Sequence, residues 1–429
     1  MERGRLLPNG STPSTFVEAA CPRWDADARH TWPTLHQRLD AYEHATEALQ
    51  GALRSCICPR ADGEQGGACT RLLVLSRRIG SPSADAEVYE TLVAPRGPGS
   101  YGRIGSNGAP SPAAAFSAAL RAADATRMAV KVLAVVSDDS AARNNGEMTI
   151  AQAASDLVRR GTSPYFPLVY GTTYCDNVTY APGSLLGAAA RDYDLRQQVI
   201  EAAPPARRRQ VRAIVRTTTD LAAIADALQA YGLSVEALDP TRPLPAYLLV
   251  SEMAWGDLSS LAARTDLTPD QWFSIVSGVL RAVGALQQHL SVVHNDLHFG
   301  NVLVALVATH RDDNGDNTER AHGAAPTACT HALLPLVHDF GRSYRAEVWL
   351  PDDRVRDAEK VVEGLLSQPR LPAPVRAAAE SLDTFIRSFH TRDYVMDQIA
   401  DAWDALALQN GMGLNNLDNE DEDHTRAWL

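Results

Sequence analysis

Nowhere in its 429 residues does the chain hold a run of about 18 apolar residues, the length a membrane-spanning helix needs. The opening residues Met1-Glu2-Arg3-Gly4-Arg5-Leu6-Leu7-Pro8 have no apolar core of secretory length. Cysteine is scarce: Cys21, Cys56, Cys58, Cys69, Cys175 and Cys329 are unevenly spread, and Cys56-x-Cys58 followed by Cys69 is not the spacing of a standard zinc finger. These absences predict a soluble, intracellular protein with reduced thiols and no membrane partner. Positive charge is short as well. A formal net charge of -12 argues against non-specific binding to a nucleic-acid backbone, so no direct nucleic-acid partner is expected, and a bound nucleotide would need a local basic patch.

What is present is globular. An apolar share of 45% can supply a sizeable core over two or three domains, and 25 Pro with 28 Gly imply generous loops. No internal repeat is apparent. The most informative stretch is Ser291-Val-Val-His-Asn-Asp-Leu-His-Phe-Gly-Asn-Val-Leu-Val304, which contains His294-x-Asp296-x-x-x-x-Asn301; further on comes Val337-His-Asp-Phe-Gly341. Asp296 could take the proton of an attacking hydroxyl, while Asn301 and Asp339 offer the hard oxygens that magnesium prefers. This pair of motifs resembles the catalytic loop and metal-binding Asp-Phe-Gly turn of the protein-kinase superfamily.

Other segments follow in a matching order. Val88–Val93 reads as a strand leading into Gly97-x-Gly99-x-x-Gly102-x-Ile104, where missing Cβ atoms would let backbone N–H groups approach phosphates and Ile104 would lie over an adenine. Met128-Ala-Val-Lys-Val-Leu133 places Lys131 inside an apolar strand, where an ammonium calls for a partner. Glu147 opens a helical pattern and is the candidate to orient Lys131. Tyr247–Leu258 reads as a strand and hinge, with Glu252, Met253 and Ala254 presenting backbone groups to a base. Thr268-Pro-Asp-Gln271 is a helix start followed by an apolar stripe from Trp272 to Leu290, and Asp357, on a later helix, is a candidate to brace the catalytic loop.

As an ordered set these segments resemble divergent serine/threonine protein kinases, including those of large DNA viruses and the haspin-like group. The resemblance implies an α+β, bilobal protein-kinase-like fold: an N-terminal extension over 1–84, an N-lobe and hinge over 85–255 with an insertion at about 171–245, a helical C-lobe over 256–410 with an insertion at about 309–330, and an acidic tail over 411–429. It implies Mg-ATP as cofactor and a protein hydroxyl as acceptor, with Asp296 orienting the hydroxyl, Asn301 and Asp339 ligating magnesium, and Lys131 with Gly97, Gly99 and Gly102 holding phosphates. The departures are Asn295 where an Arg is usual, His298 where serine/threonine kinases carry Lys, and no Ala-Pro-Glu after Gly341. Two other readings remain open: a small-molecule kinase of the choline-kinase or aminoglycoside-phosphotransferase type, and a noncatalytic scaffold of the same fold. The helical stripe Leu39, Tyr42, Ala45, Leu49 and Leu53 in the extension predicts an amphipathic helix without indicating its purpose.

Overall fold

The structure, a computed structural model, describes residues 31–32, several helical positions within 38–49, and, with short gaps, 77–79, 86–93, 126–217, 242–309, 330–388 and 396–412, besides the isolated positions 229 and 239. The elements run β1 (Thr31–Trp32), β2 (Arg77–Ile79), β3 (Glu87–Val93), β4 (Thr126–Ala134), α1 (Ser140–Arg159), β5 (Val169–Val178), α2 (Leu185–Ala202), α3 (Arg208–Thr217) and β6 (Leu244–Glu252). They continue with β7 (Gly256–Asp257), α4 (Leu258–Arg264), α5 (Pro269–Ala285), β8 (Val292–Val293), β9 (Val302–Thr309), β10 (Thr330–Val337), β11 (Tyr344–Arg345), α6 (Pro351–Leu366), α7 (Ala373–Arg387) and α8 (Met396–Gln409). The class is α+β. Among the described residues no helix is long and apolar enough to cross a membrane.

The chain divides into two compact units. One comprises residues 45–145 and 170–251. It is built on a five-stranded sheet of order β2-β3-β4-β6-β5, in which β3 pairs antiparallel with both β2 and β4. Met128, Val130 and Val132 alternate into the core of β4, the period-two pattern of a strand with one buried face. Asn144, near the start of α1, donates to the carbonyls of Leu133 and Ala134 at 3.3 and 2.9 Å, which ties the helix to the end of the strand before it. The expected insertion holds a helical pair, α2 and α3, closed over Val199, Ile200, Ala203, Val211 and Val215, with the arginines of α3 turned outward. Tyr193, Gln197 and Arg216 of this pair converge on Asp138.

The other unit comprises 1–44, 146–169 and 252–429. Its spine is α5, which starts at a capping box in which Thr268 Oγ1 accepts from the Gln271 amide and Gln271 Oε1 accepts from the Thr268 amide. The helix is buried along most of its length, and Trp403 of α8 donates from its indole to the Phe273 carbonyl at 3.0 Å. β9 and β10 form an antiparallel hairpin with Val302 opposite Val337, β7 adds to β9, and β1 lies parallel to β9 on its other edge.

Several expectations are corrected here. Ser163–Tyr170, which reads as a turn and a strand, holds the strand only from Val169, and that strand runs on to Val178; Pro164 and Pro167 have no N–H to give a ladder. Glu147 does not open its helix: α1 starts at Ser140 with no acid in its first turn, so Asn144, Asn145 and Gly146 lie within it. Cys175 is disulfide-bonded and fully buried, against the expectation of reduced thiols; such a bond joins residues remote in the chain and leaves no mark in local spacing. The remaining cysteines, the glycine loop with Gly97, Gly99, Gly102 and Ile104, the stretch 310–329 and the tail from 413 lie outside the described residues.

Within 1–84 the helix expected around Leu35–Leu53 is present at its described positions, and Ala45 and Leu49 are buried. Arg38 on it is fully buried. Its Nε donates to both Glu252 carboxylate oxygens at 3.0 and 2.8 Å, Nη1 donates to the Pro164 carbonyl at 2.7 Å, and Nη2 reaches the Phe166 carbonyl and Glu252. At its described positions this helix is therefore packed into the fold.

Candidate functional site

The catalytic-loop motif is built at the end of α5. The helix loosens into a π-turn over Leu286–Leu290, Ser291 takes a left-handed φ of 53°, and the two-residue strand β8 delivers His294. Asp357, on α6 and fully buried, receives the loop: its Oδ2 accepts from the His294 amide at 2.7 Å and its Oδ1 from the Asn295 amide at 2.8 Å. Burial pushes the Asp357 carboxyl upward, opposed by His294, those two amides and Arg356. The brace expected from Asp357 is thus in place.

His294 is fully buried against Phe340, ring centroids 5.3 Å apart, and its Nε2 stands 2.9 Å from the His338 carbonyl. A carbonyl can only accept, so that nitrogen carries the proton and the ring serves as a strut between the two motifs. Asn301 makes the second connection. Its Nδ2 donates to the Asp296 carbonyl at 2.9 Å, and its own carbonyl accepts from the His338 amide at 3.1 Å. The three acid and amide groups singled out from sequence, Asp296, Asn301 and Asp339, are therefore held in one unit through two short backbone links. His298 is spent locally, its Nδ1 accepting from the Gly300 amide at 3.0 Å to cap the turn Phe299–Asn301.

Asp339 has a left-handed φ of 65°, uncommon for a residue with a side chain, and its Oδ1 accepts from the Gly341 amide at 3.4 Å. A side chain at 341 would be crowded, since a Cβ there would lie 3.1 Å from Glu147 Oε2 and 3.3 Å from Asp339 Oδ1. Glu147 is buried with its carboxylate at the Asp-Phe-Gly turn. After the turn the chain is pinned: Ser343 Oγ donates to the His294 carbonyl at 3.0 Å, β11 pairs antiparallel with β8, and Tyr344 donates to Asp353 at 2.5 Å. Asn295, φ 64°, donates from Nδ2 to the Arg342 carbonyl at 3.3 Å and accepts from Arg356 at 3.0 Å. Arg342 reaches back to Asp296, Nη1 to Oδ1 3.6 Å, from an exposed position.

The other expected residues are placed as follows. Lys131 stands on β4, half-buried and opposite Val88 of β3. Glu252 closes β6; its amide is taken by the Leu168 carbonyl at 2.9 Å, and its side chain, expected to be incidental, is fully buried on Arg38 and the Leu168 amide. Ala254 follows on the hinge segment, half-buried. Asp257 caps α4 by accepting from the Ser260 amide at 2.7 Å. Sequence reading missed Arg38, Arg356 and the Ser343 staple, because their partners lie 49 to 214 residues away. Among the described residues no group of three or more His, Cys, Asp or Glu is placed to hold a metal. A carboxylate and an amide oxygen are instead the sparse hard-oxygen set that magnesium takes when phosphate and water complete its shell. No protein-family model matches the chain, and no curated protein matches it.

Proposed function

We propose that this protein is an ATP-dependent phosphotransferase of bilobal protein-kinase-like architecture, acting as a serine/threonine protein kinase on a protein hydroxyl. The observation that carries the reading is the assembly of Asp296, Asn301 and Asp339 in one braced unit, with Asp357 fastening the loop from below and Glu147 lying at the Asp-Phe-Gly turn. Lys131 is assigned to the α- and β-phosphates from its sequence context, and the chain's usage of cations favours the assignment. Of 40 Lys and Arg residues only Lys131 and Lys360 are lysine, so an ammonium inside the apolar run Met128–Leu133 is not a casual choice.

In this reading the Asp296 carboxylate, 31% exposed, accepts the proton of the attacking hydroxyl and aims its oxygen. Asn301 Oδ1 and the Asp339 carboxylate would hold magnesium, which when bound neutralises charge on the phosphates. The left-handed turn at Asp339 and the amide of Gly341 fix that carboxylate's direction before any ligand arrives. Catalysis here is positioning and electrostatics.

A second reading, transfer to a small molecule, is favoured by one observation. Only residues 342–350 join the Asp-Phe-Gly turn to α6, and they are stapled to β8, His294 and Asp353, which leaves little chain to present an extended peptide. The test uses Mg-ATP labelled at the γ-phosphate with mixed protein acceptors and, separately, choline and aminoglycosides, alongside Asp296→Asn and Lys131→Met. Label on protein, lost by orders of magnitude in both variants, supports the first reading. Label on a small molecule moves the function to the second, and bound nucleotide without transfer leaves a noncatalytic scaffold.

A further inference from the structure

The second of the two lysines stands on α6, the helix that braces the catalytic loop. Three residues of that helix touch the loop: Arg356 donates to Asn295, Asp357 accepts the amides of His294 and Asn295, and Gly364 is so close to Phe299 that a Cβ there would lie 3.1 Å from the ring. At about 3.6 residues per turn, Lys360 falls on the same face as all three and between them along the axis. The contacts at one end are to residues 294 and 295 and at the other to 299, so Lys360 lies along the intervening stretch, where Asp296 is. Its side chain is exposed and pairs with Glu363, at 2.7 Å, an (i, i+3) surface pair of the kind that contributes little and exchanges readily. Glu363 is the main group favouring the ammonium form, with lesser help from Glu359 and then Asp296 against the cost of burial.

A phosphoryl group in flight spreads negative charge over its oxygens; within the loop His298 is spent on the Gly300 amide, and the cation already beside Asp296 is Arg342, Nη1 3.6 Å from Oδ1, on the segment after the Asp-Phe-Gly turn. Arginine serves almost everywhere else in this chain, and lysine differs from it as a compact point charge on a flexible stem. We propose that Lys360 is a further catalytic residue of this site, its ammonium contacting an oxygen of the phosphoryl group as it passes to the acceptor beside Asp296. The inference rests on the phosphotransferase reading above. In the step the acceptor oxygen bonds to phosphorus, the bond from phosphorus to the bridging oxygen breaks with its electron pair leaving on ADP, and the hydroxyl proton goes to Asp296. Lys360 makes and breaks no covalent bond.

The experiment compares full-length wild type with Lys360→Met, Lys360→Arg and Glu363→Gln, measuring turnover of Mg-ATP with the acceptor sets above, nucleotide affinity and the melting temperature. Lys360→Met should lower kcat on the order of a hundredfold while nucleotide affinity and melting temperature stay at wild-type values. Lys360→Arg should recover part of the loss, and Glu363→Gln should keep full turnover. Wild-type kcat in Lys360→Met overturns the inference and leaves the phosphotransferase reading standing. A loss in Glu363→Gln equal to that in Lys360→Met also overturns it, by making the surface ion pair the cause. A wild-type chain that neither binds Mg-ATP nor transfers phosphate removes the reading and the inference together.

Discussion

Asn295 occupies left-handed backbone at φ 64° while its side chain joins the Arg342 carbonyl to Arg356. Asparagine tolerates that conformation better than longer side chains do. Introducing the arginine usual in kinases, Asn295→Arg, should therefore cost about 1–2 kcal/mol from backbone strain alone, read by urea unfolding. Asn295→Gly relieves the strain but drops both hydrogen bonds, and should lose less. Tyr344 supplies a pH-dependent check on the same segment. Burial, with the hydrogen bond to Asp353, raises its phenol from 10.0 to about 12. A raised pKa means the protonated form favours the folded state, so this contribution is complete below pH 10 and is lost as pH rises through 12. The stability difference between wild type and Tyr344→Phe should stay constant up to the lower limit and shrink above it. A difference that holds flat across the whole range would show that the phenol is not held by Asp353.

Two glycines show how helices in this chain are read by their surroundings. Gly278 lies in α5 where a Cβ would meet Pro335 Cγ at 2.6 Å and Tyr165 Cε1 at 2.8 Å. Gly278→Ala should destabilise by about 1–3 kcal/mol despite the better helix propensity of alanine, because neither a proline ring nor a buried phenol ring can step aside freely. Gly146 lies inside α1 with nothing within 4 Å of its would-be Cβ. Gly146→Ala should stabilise by roughly 0.5–1 kcal/mol. Thermal unfolding of the pair decides the matter by sign.

At the scale of the molecule, the described residues among 31–49 are packed into the fold. β1 extends the β9 hairpin, Arg38 fills a buried site on Glu252 and the 164–166 backbone, and Ala45 and Leu49 are buried. Removing residues 1–49 should cost cooperative unfolding, visible as a broadened or missing thermal transition. Arg38→Met alone strands the Glu252 carboxylate and should cost about 3–5 kcal/mol, whereas the double change Arg38→Met with Glu252→Met should recover much of the loss. Equal destabilisation in the single and double variants would mean that the ion pair is not what the extension contributes.

The sequence by itself determined the local elements and the spacing of the motif residues. The capped α5, the strands around Lys131 and Leu303, the catalytic-loop residues and the bracing Asp357 were legible because each depends on periodicity, caps or spacing within a short window. The tertiary structure decided what depends on distance along the chain: that α1 begins about two turns before Glu147, that Arg38 and Glu252 pair across more than two hundred residues, and that Arg356 donates to Asn295. It also decided that Lys360 stands on the face of α6 turned toward the loop, which no local pattern distinguishes from a solvated helix position. Hydrogen bonds and ion pairs between remote segments arise only when packing has brought their partners together, and a one-dimensional pattern carries no term for that.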